Sequence, residues 1–450
     1  MSGRSSRSWQ LSRSGEAIGS LTRLVSGRRG ILAANIAARL AALLSLSLAT
    51  LLVARTTGPT GVGIYALLRV LPGLVGVVIS AGLPGAVTYF IAGPDRENRR
   101  LPLTIVAISL VGGLVGMGLW TAAAPVLRST LFPELSLLLV LLAGVTVLTQ
   151  LVVATAKSCS QGTDDLRGAN WVILNEEFMF LPAYGGLWAF GLRGYAASIA
   201  GLLIADLATA LLGWGRLARR RFFEGADRPS FELTRRISLY GLRAQVGGVV
   251  TLLNLRLDFL LINVMTGPAV LGVYAIGSKF AELLKIPSLA LTYVLYPTYS
   301  RDDQQTAALK ARQLIPRAGG LAAAAIVPLW LAATYVIPAL YGADFRGAIR
   351  PAHIILLGLA LEGVAAVITA FLYGIGRPGL NSWGASAGLA VTLALDLLLI
   401  PRFGATGAAT ASAIAYATSA LALVWCFWWV NKPERKTGLA TRKSLPGADV

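Results

Sequence analysis

Apolar residues along this chain come in twelve long runs, separated by short polar or Gly/Pro punctuation. They lie at 31–54, 62–91, 102–126, 135–155, 170–189, 193–214, 238–264, 270–299, 318–340, 351–373, 380–400 and 405–429. A hydrocarbon core about 30 Å thick is crossed by a helix of about 20 residues. Each run therefore predicts one membrane-spanning helix, and the fold class is all-α: a polytopic membrane protein of twelve transmembrane helices. The first run follows an arginine-dotted leader and exceeds the roughly 7–15 apolar residues of a cleaved signal peptide, so it is expected to stay as a span.

The pattern also repeats. TGPTGVGIYA at 57–66 returns as TGPAVLGVYA at 266–275, and FGLRGYAAS at 190–198 as FGATGAATA at 403–411. The first phrase closes the first and the seventh span, and the second phrase opens the sixth and the twelfth. This predicts a parallel duplication, with two six-helix lobes related by an axis along the membrane normal. The expected organisation is a cytoplasmic leader (1–30), an N-lobe (31–214), a cytoplasmic linker (215–237), a C-lobe (238–430) and a cytoplasmic tail (431–450). In each copy of the first phrase Gly-Pro turns the chain, the second Gly allows close packing, and Tyr65 or Tyr274 is expected at interface depth.

Composition agrees with the spans. Over 450 residues, 55% are hydrophobic and 14% charged, with mean hydropathy +0.67, which sets aside a chain of soluble domains. Basic residues orient it, because they favour cytoplasmic loops. With both termini cytoplasmic, 28 of the 40 Lys and Arg fall in inside segments, six in outside loops and six in spans. The net charge of +19 then implies attraction to anionic lipid headgroups, with no nucleic-acid partner. Trp120, Trp171, Trp188, Trp214, Trp383, Trp425, Trp428 and Trp429 fall near span ends, as interfacial anchors should. Pro72, Pro84, Pro287 and Pro297 are expected to bend spans 2 and 8, and the pairs Gly112/Gly116 and Gly384/Gly388 to pack closely.

Charges inside spans cost about 2.5–3.5 kcal/mol on insertion scales and face a cavity or a partner. The bases here are Arg39, Arg69, Arg243, Arg256, Lys279 and Lys285, all in the repeat-related spans 1, 2, 7 and 8. No acid occurs between Glu16 and Asp95. Asp258 and Glu282 accompany the bases of spans 7 and 8, while Glu176, Glu177, Asp206, Glu362 and Asp396 lie in spans 5, 6, 10 and 11. On one reading these acids neutralise the bases across helices. On the other, the bases line a central cationic chamber between the lobes, suited to phosphate through the forked donors of arginine. Asn254 and Asp258 share a helix face, and Lys279 with Glu282 has the spacing of an intrahelical pair. Cys159 and Cys426 give neither a disulfide framework nor a metal pair. The lone His353 is expected to be structural, and the absence of a Gly-Lys dipeptide excludes a Walker A loop. With short outside loops, the chain reads as no enzyme, without cofactor or metal.

NLRLDFLLINVMTGPAVLGVYAIGSKFAELLKIPSLALTYVLYPTYSR at 254–301, LYGADFRGA at 340–348, GRPGLNSW and LLLIPRFGATGAA resemble the multidrug/oligosaccharidyl-lipid/polysaccharide exporter superfamily. Within it, they resemble the flippases of O-antigen-like or exopolysaccharide repeat units. The resemblance implies a V-shaped pair of six-helix lobes in the cytoplasmic (inner) membrane. These would carry a polyprenyl-diphosphate-linked oligosaccharide outward by alternating access, beside a polysaccharide polymerase and chain-length machinery. It implies Arg39, Arg69, Arg243, Arg256 and Lys279 as headgroup contacts, with Asn254, Asp258 and Glu282 in the same substrate-binding set. Asp206, Glu362 and Asp396 are the candidates for ion coupling. The alternative is an ion-coupled multidrug and toxin extrusion exporter of organic cations, whose first lobe should carry acids where spans 1 and 2 carry arginines.

Overall fold

A computed structural model of the chain describes residues 6–80, 82–93 and 95–432, with side chains from residue 37 onward apart from 77, 244–252, 254 and 255. Among the described residues every regular element is helical. This is the form that satisfies backbone N–H and C=O groups within one segment, where lipid supplies no partner. The chain divides into two compact units. The first holds residues up to 53, 68–128 and 134–245; the second holds 54–67, 129–133 and 246 onward.

All twelve expected spans are present, though several are broken or fused. α1 (Ser6–Ile79) runs through the first span and most of the second, with non-helical backbone at Gly58. α2 (Leu83–Ala92) completes the second span after a left-handed Gly82. α3 (Leu101–Thr130), α4 (Leu137–Gly162) and α7 (Gly194–Arg219) are uninterrupted, and α5 (Leu166–Phe178) with α6 (Phe180–Ala189) forms the fifth span. α8 (Phe231–Thr266) is the seventh. α9 (Pro268–Ala281), a 3-10 turn and α10 (Lys285–Tyr299) form the eighth, and α11 (Gln304–Tyr341) the ninth. α12 (Ile349–Gly358) and α13 (Glu362–Gly374) make the tenth, and α14 (Pro378–Val430) holds the last two, fused across Gly404. Spans 2 and 8 break just ahead of Pro84 and Pro287. A proline ring clashes with the carbonyl four residues back and removes one helical donor, which places the two breaks near Ser80 and Leu283.

The copies of each repeated phrase place a positive-φ glycine at the same position. Gly58 (φ 66°) and Gly267 (φ 92°), each followed by proline, occupy the conformation that disfavours a Cβ, and so do Gly191 and Gly404 of the second phrase. The first phrase does more than turn the chain. Within the second unit its copies touch through their backbones. A Cβ built on Gly63 would collide with the carbonyl oxygen of Pro268 and lie 3.1 Å from the nitrogen of Gly272. A Cβ on Gly272 would collide with the carbonyl oxygen of Pro59 and lie 3.0 Å from the nitrogen of Gly63. The contact is reciprocal, residue for residue. Arg55 donates to the carbonyls of Leu340 (2.6 Å) and Ala339 (2.7 Å) at the end of α11, where a cation meets unsatisfied carbonyls. Asn263 donates to the Leu131 carbonyl at 2.8 Å.

One expectation is corrected here. Trp120 is no interfacial anchor. It is 2% exposed and its indole N–H donates to the Val140 carbonyl at 2.8 Å, with its ring filling the space left by Gly144. Tyr65 and Tyr274 are likewise buried in protein, at 0% and 1% exposure. By contrast Trp171, Trp188, Trp383, Trp425 and Trp428 are exposed. Gly116, Gly384 and Gly388 receive neighbouring side chains at close range, as packing glycines should, while Gly112 meets Leu151 only at ordinary contact distance.

The reciprocal glycine contact makes a direct prediction. Gly63→Ala and Gly272→Ala should each destabilise the protein by about 1–3 kcal/mol, the range for inserting a methyl where backbone must move. Gly118→Ala, whose Cβ would meet nothing within 4 Å, should be neutral or slightly stabilising through helix propensity. Thermal unfolding of the purified protein in detergent compares the three, and equal melting of all of them would refute the packing argument.

Candidate functional site

The intramembrane charges gather into one polar cluster within each unit. In the first unit α1 brings Arg69 to Glu177 of α5, with Nη2 donating to Oε1 at 2.6 Å and both side chains about one-fifth exposed. Asp206 of α7 is buried and accepts from the Thr149 hydroxyl at 2.9 Å, with Arg69, Glu176 and Glu177 among its electrostatic neighbours. Lys157 reaches Glu176 at 3.3 Å. Arg69 is thus held by an acid from another helix, as the cross-helix reading of these charges expects. Arg39 is exposed.

The second unit's cluster is built on α8, α9, α10, α13 and α14. Asp258 is 8% exposed and accepts from the backbone N–H of Phe259 at 2.8 Å and from the Tyr274 hydroxyl at 2.5 Å. Tyr274 in turn lies 3.0 Å from the Ser412 hydroxyl, which joins α8, α9 and α14. Two residues before Asp258, half-buried Arg256 rests its guanidinium over the Phe259 ring, 5.2 Å from the centroid. Among the described residues no carboxylate lies within ion-pairing distance of it. A cation over an aromatic face is stabilised by the ring quadrupole while its N–H donors keep the capacity to bind an anion. Lys285 sits over the Tyr416 ring at 3.9 Å, with Glu282 and Glu362 as electrostatic neighbours. Lys285 and Glu362 also line a cavity of about 770 Å³ with Thr292, Tyr293, Tyr296 and Tyr373. Asp396 is fully buried, and neither of its carboxylate oxygens has a hydrogen-bond partner among the described residues.

The second unit therefore gathers Arg256, Asp258, Glu282, Glu362 and Asp396 on neighbouring helices. Lys279 is half-buried in the last turn of α9. Arg243 is exposed on α8, and the Asn254 side chain lies outside the described residues. Sequence reasoning missed Tyr274, Ser412, Tyr416 and Thr149 as members of these clusters. Tyrosine, serine and threonine are ordinary constituents of membrane helices, and only the fold turns their hydroxyls toward a charge. The spacing of Asp258 and Tyr274 across the Gly-Pro turn, one span ending and the next beginning, was the available signal.

Outside the spans, Asp165 caps α5 by accepting from the Gly168 N–H at 3.0 Å. It also takes Nε and Nη2 of Arg216 at 2.7 and 2.9 Å and Nη1 of Arg220 at 3.0 Å. The Arg216 hydrogen bond holds its carboxyl below the usual carboxylate range, against the opposing effect of burial.

Comparison with known proteins places this geometry. The probable low-salt glycan biosynthesis flippase Agl15 of Haloferax volcanii is 21% identical over 387 residues, covering 81% of this chain and 76% of the relative. An inward-facing multidrug resistance MATE family transporter of the MOP superfamily superposes with a TM-score of 0.70 at 15% identity, covering 87% of this chain and 97% of the other. The lipid II flippase MurJ, in an inward closed conformation, superposes at 0.66 and 15% identity, covering 88% and 87%. These two share the fold. Residues 28–302 match the family described as polysaccharide biosynthesis protein, and with that match over more than half its length this multi-pass helical membrane protein belongs to the polysaccharide biosynthesis protein family.

Proposed function

We propose that the protein is a flippase of glycan biosynthesis, moving polyprenyl-diphosphate-linked oligosaccharide repeat units across the cytoplasmic membrane by alternating access. The observation that carries this reading is Arg256. It lies deep in the seventh span, is held over Phe259, and has donors that no described carboxylate occupies. A base retained there against its insertion cost suits an anionic cargo. Lys279, Arg39 and Arg243 extend the basic character along spans 8, 1 and 7. The similarity to a glycan biosynthesis flippase supports the same reading. The MATE fold also serves multidrug export, but an exporter of cations has no use for a guanidinium at Arg256 with no described carboxylate beside it.

In this proposal Asp206, Glu362 and Asp396 exchange the coupling ion. Asp396 supports it best, since an ionised carboxylate without donors in a dry site costs several kcal/mol unless a cation or proton accompanies it. The lobes are residues 31–214 and 238–430, joined by the 215–237 linker. The linker, the 1–30 leader and the 431–450 tail are cytoplasmic, as the basic-residue asymmetry directs. A polysaccharide polymerase and its chain-length machinery take the product.

Two measurements test the proposal. In a background without Cys159 and Cys426, single cysteines placed at 225 and at the exposed position 346 should differ, with membrane-impermeant label added from outside reaching only 346. The reverse pattern would overturn the topology. In cells deleted for a defined flippase, Arg256→Ala should lower glycan display about tenfold or more at normal membrane abundance, a loss of about 1.4 kcal/mol or more in the transport step. Arg69→Ala should instead lower abundance, because it strips Glu177 of its partner, and Arg69→Ala/Glu177→Gln should restore it. Full glycan display by Arg256→Ala would sink the anion-binding role.

A further inference from the structure

The first unit carries a basic cavity outside the intramembrane charge clusters described above. It has a volume of about 460 Å³, lies against α5 and α7, and is lined by Arg216, Arg219 and Arg220 together with Trp171, Leu211 and Leu212. Two of these arginines share one carboxylate. Asp165, with 2% of its side chain exposed, holds Arg216 through two N–H groups and Arg220 through one. This fixes two guanidinium groups while leaving most of their donors unused. Arg219 lies on the same wall outside that pairing. The space exists because Gly215 lines it without a side chain, and a Cβ there would meet nothing within 4 Å.

The mouth of the cavity is apolar. Trp171 is 58% exposed, Leu211 66% and Leu212 51%, and the exposed stripe continues along α7 through Leu207 and Ile204. From Ile204 to Leu212 a helix advances about 12 Å, enough to lie beside the upper part of an acyl chain. Arginines at the helix end, an indole beside them and an aliphatic stripe leading toward mid-span reproduce the polarity profile of one membrane leaflet. In the orientation proposed above, that leaflet is the cytoplasmic one.

We infer that this cavity is a binding site for an anionic phospholipid, with the headgroup phosphate on Arg216, Arg219 and Arg220 and an acyl chain along Leu211, Leu207 and Ile204. A zwitterionic phospholipid carries a headgroup ammonium cation, choline in phosphatidylcholine, that three arginines repel. An anionic phosphodiester with a small uncharged headgroup satisfies their donors and fits a cavity of this size. The site is separate from the bases of spans 1, 2, 7 and 8, so the inference stands apart from the identity of the cargo.

Native mass spectrometry of the full chain in detergent tests it, titrating phosphatidylglycerol and phosphatidylcholine of matched acyl chains. The unaltered protein should retain one phosphatidylglycerol with a preference of roughly tenfold or more, in line with the attraction of surface arginines for anionic lipid. Arg219→Gln/Arg220→Gln should remove most of that preference while Arg216 keeps Asp165 paired. Gly215→Leu fills the space without changing charge and should abolish retention, and it decides the matter if the arginine variant fails to fold. Arg312→Gln, an exposed base on α11, should behave as the unaltered protein. Equal retention of the two lipids, or undiminished phosphatidylglycerol on Gly215→Leu, overturns the inference. So does displacement of phosphatidylglycerol by a polyprenyl diphosphate at tenfold lower concentration, which would mark the cavity as a cargo-loading site.

Discussion

A chain immersed in hydrocarbon has no water to complete its backbone hydrogen bonds, and every other feature of this protein is arranged around that constraint. It forces each span to be helical. It also makes every interruption costly, and several interruptions occur where the sequence removes a donor or frees a dihedral. Spans 2 and 8 break ahead of Pro84 and Pro287, and the reversals at Gly58 and Gly267 use a backbone conformation open to glycine. Broken spans matter to function because their ends expose polar backbone and admit side chains at depth. The 3-10 turn at Glu282–Leu284 lies directly between Lys279 and Lys285.

Without a hydrophobic drive between helices in lipid, close contact depends on small residues. The reciprocal approach of Gly63 and Gly272 is the extreme case here, since it is made by backbone alone. It explains why two segments 209 residues apart keep the same Gly-Pro-x-x-x-Gly spacing: each supplies the glycine that the other's proline carbonyl requires. Gly113, Gly116 and Gly144 serve the same end in the first unit, where Leu148, Val147 and Trp120 fill the space they leave.

Charge is where the two units differ. Arg69 in the first is engaged by Glu177, and Asp206 nearby is supported by Thr149. In the second, Asp258 is engaged by a tyrosine hydroxyl instead of a base, which leaves Arg256 on an aromatic ring. That exchange of partners leaves the Arg256 guanidinium with no described carboxylate at ion-pairing distance. A salt bridge to Asp258 would have occupied it.

Much of this was legible in the linear order of residues. Run length against bilayer thickness determined the helical fold and the number of spans, and the recurrence of TGP-x-x-x-GxYA marked the duplicated turn, because both depend on local composition and spacing. The grouping of bases in spans 1, 2, 7 and 8 was equally plain. What tertiary structure alone decided is which charge meets which partner. Arg69 and Arg256 look alike in sequence, each an arginine in an apolar run. Glu177 lies 108 residues from one, and Phe259 three residues from the other. The burial of Trp120 and Tyr274 was hidden for the same reason. An aromatic residue near a span end can face lipid or protein, and the choice rests on whether a neighbouring helix, through Gly144 in one case and Asp258 in the other, offers its ring a space or its polar atom a partner.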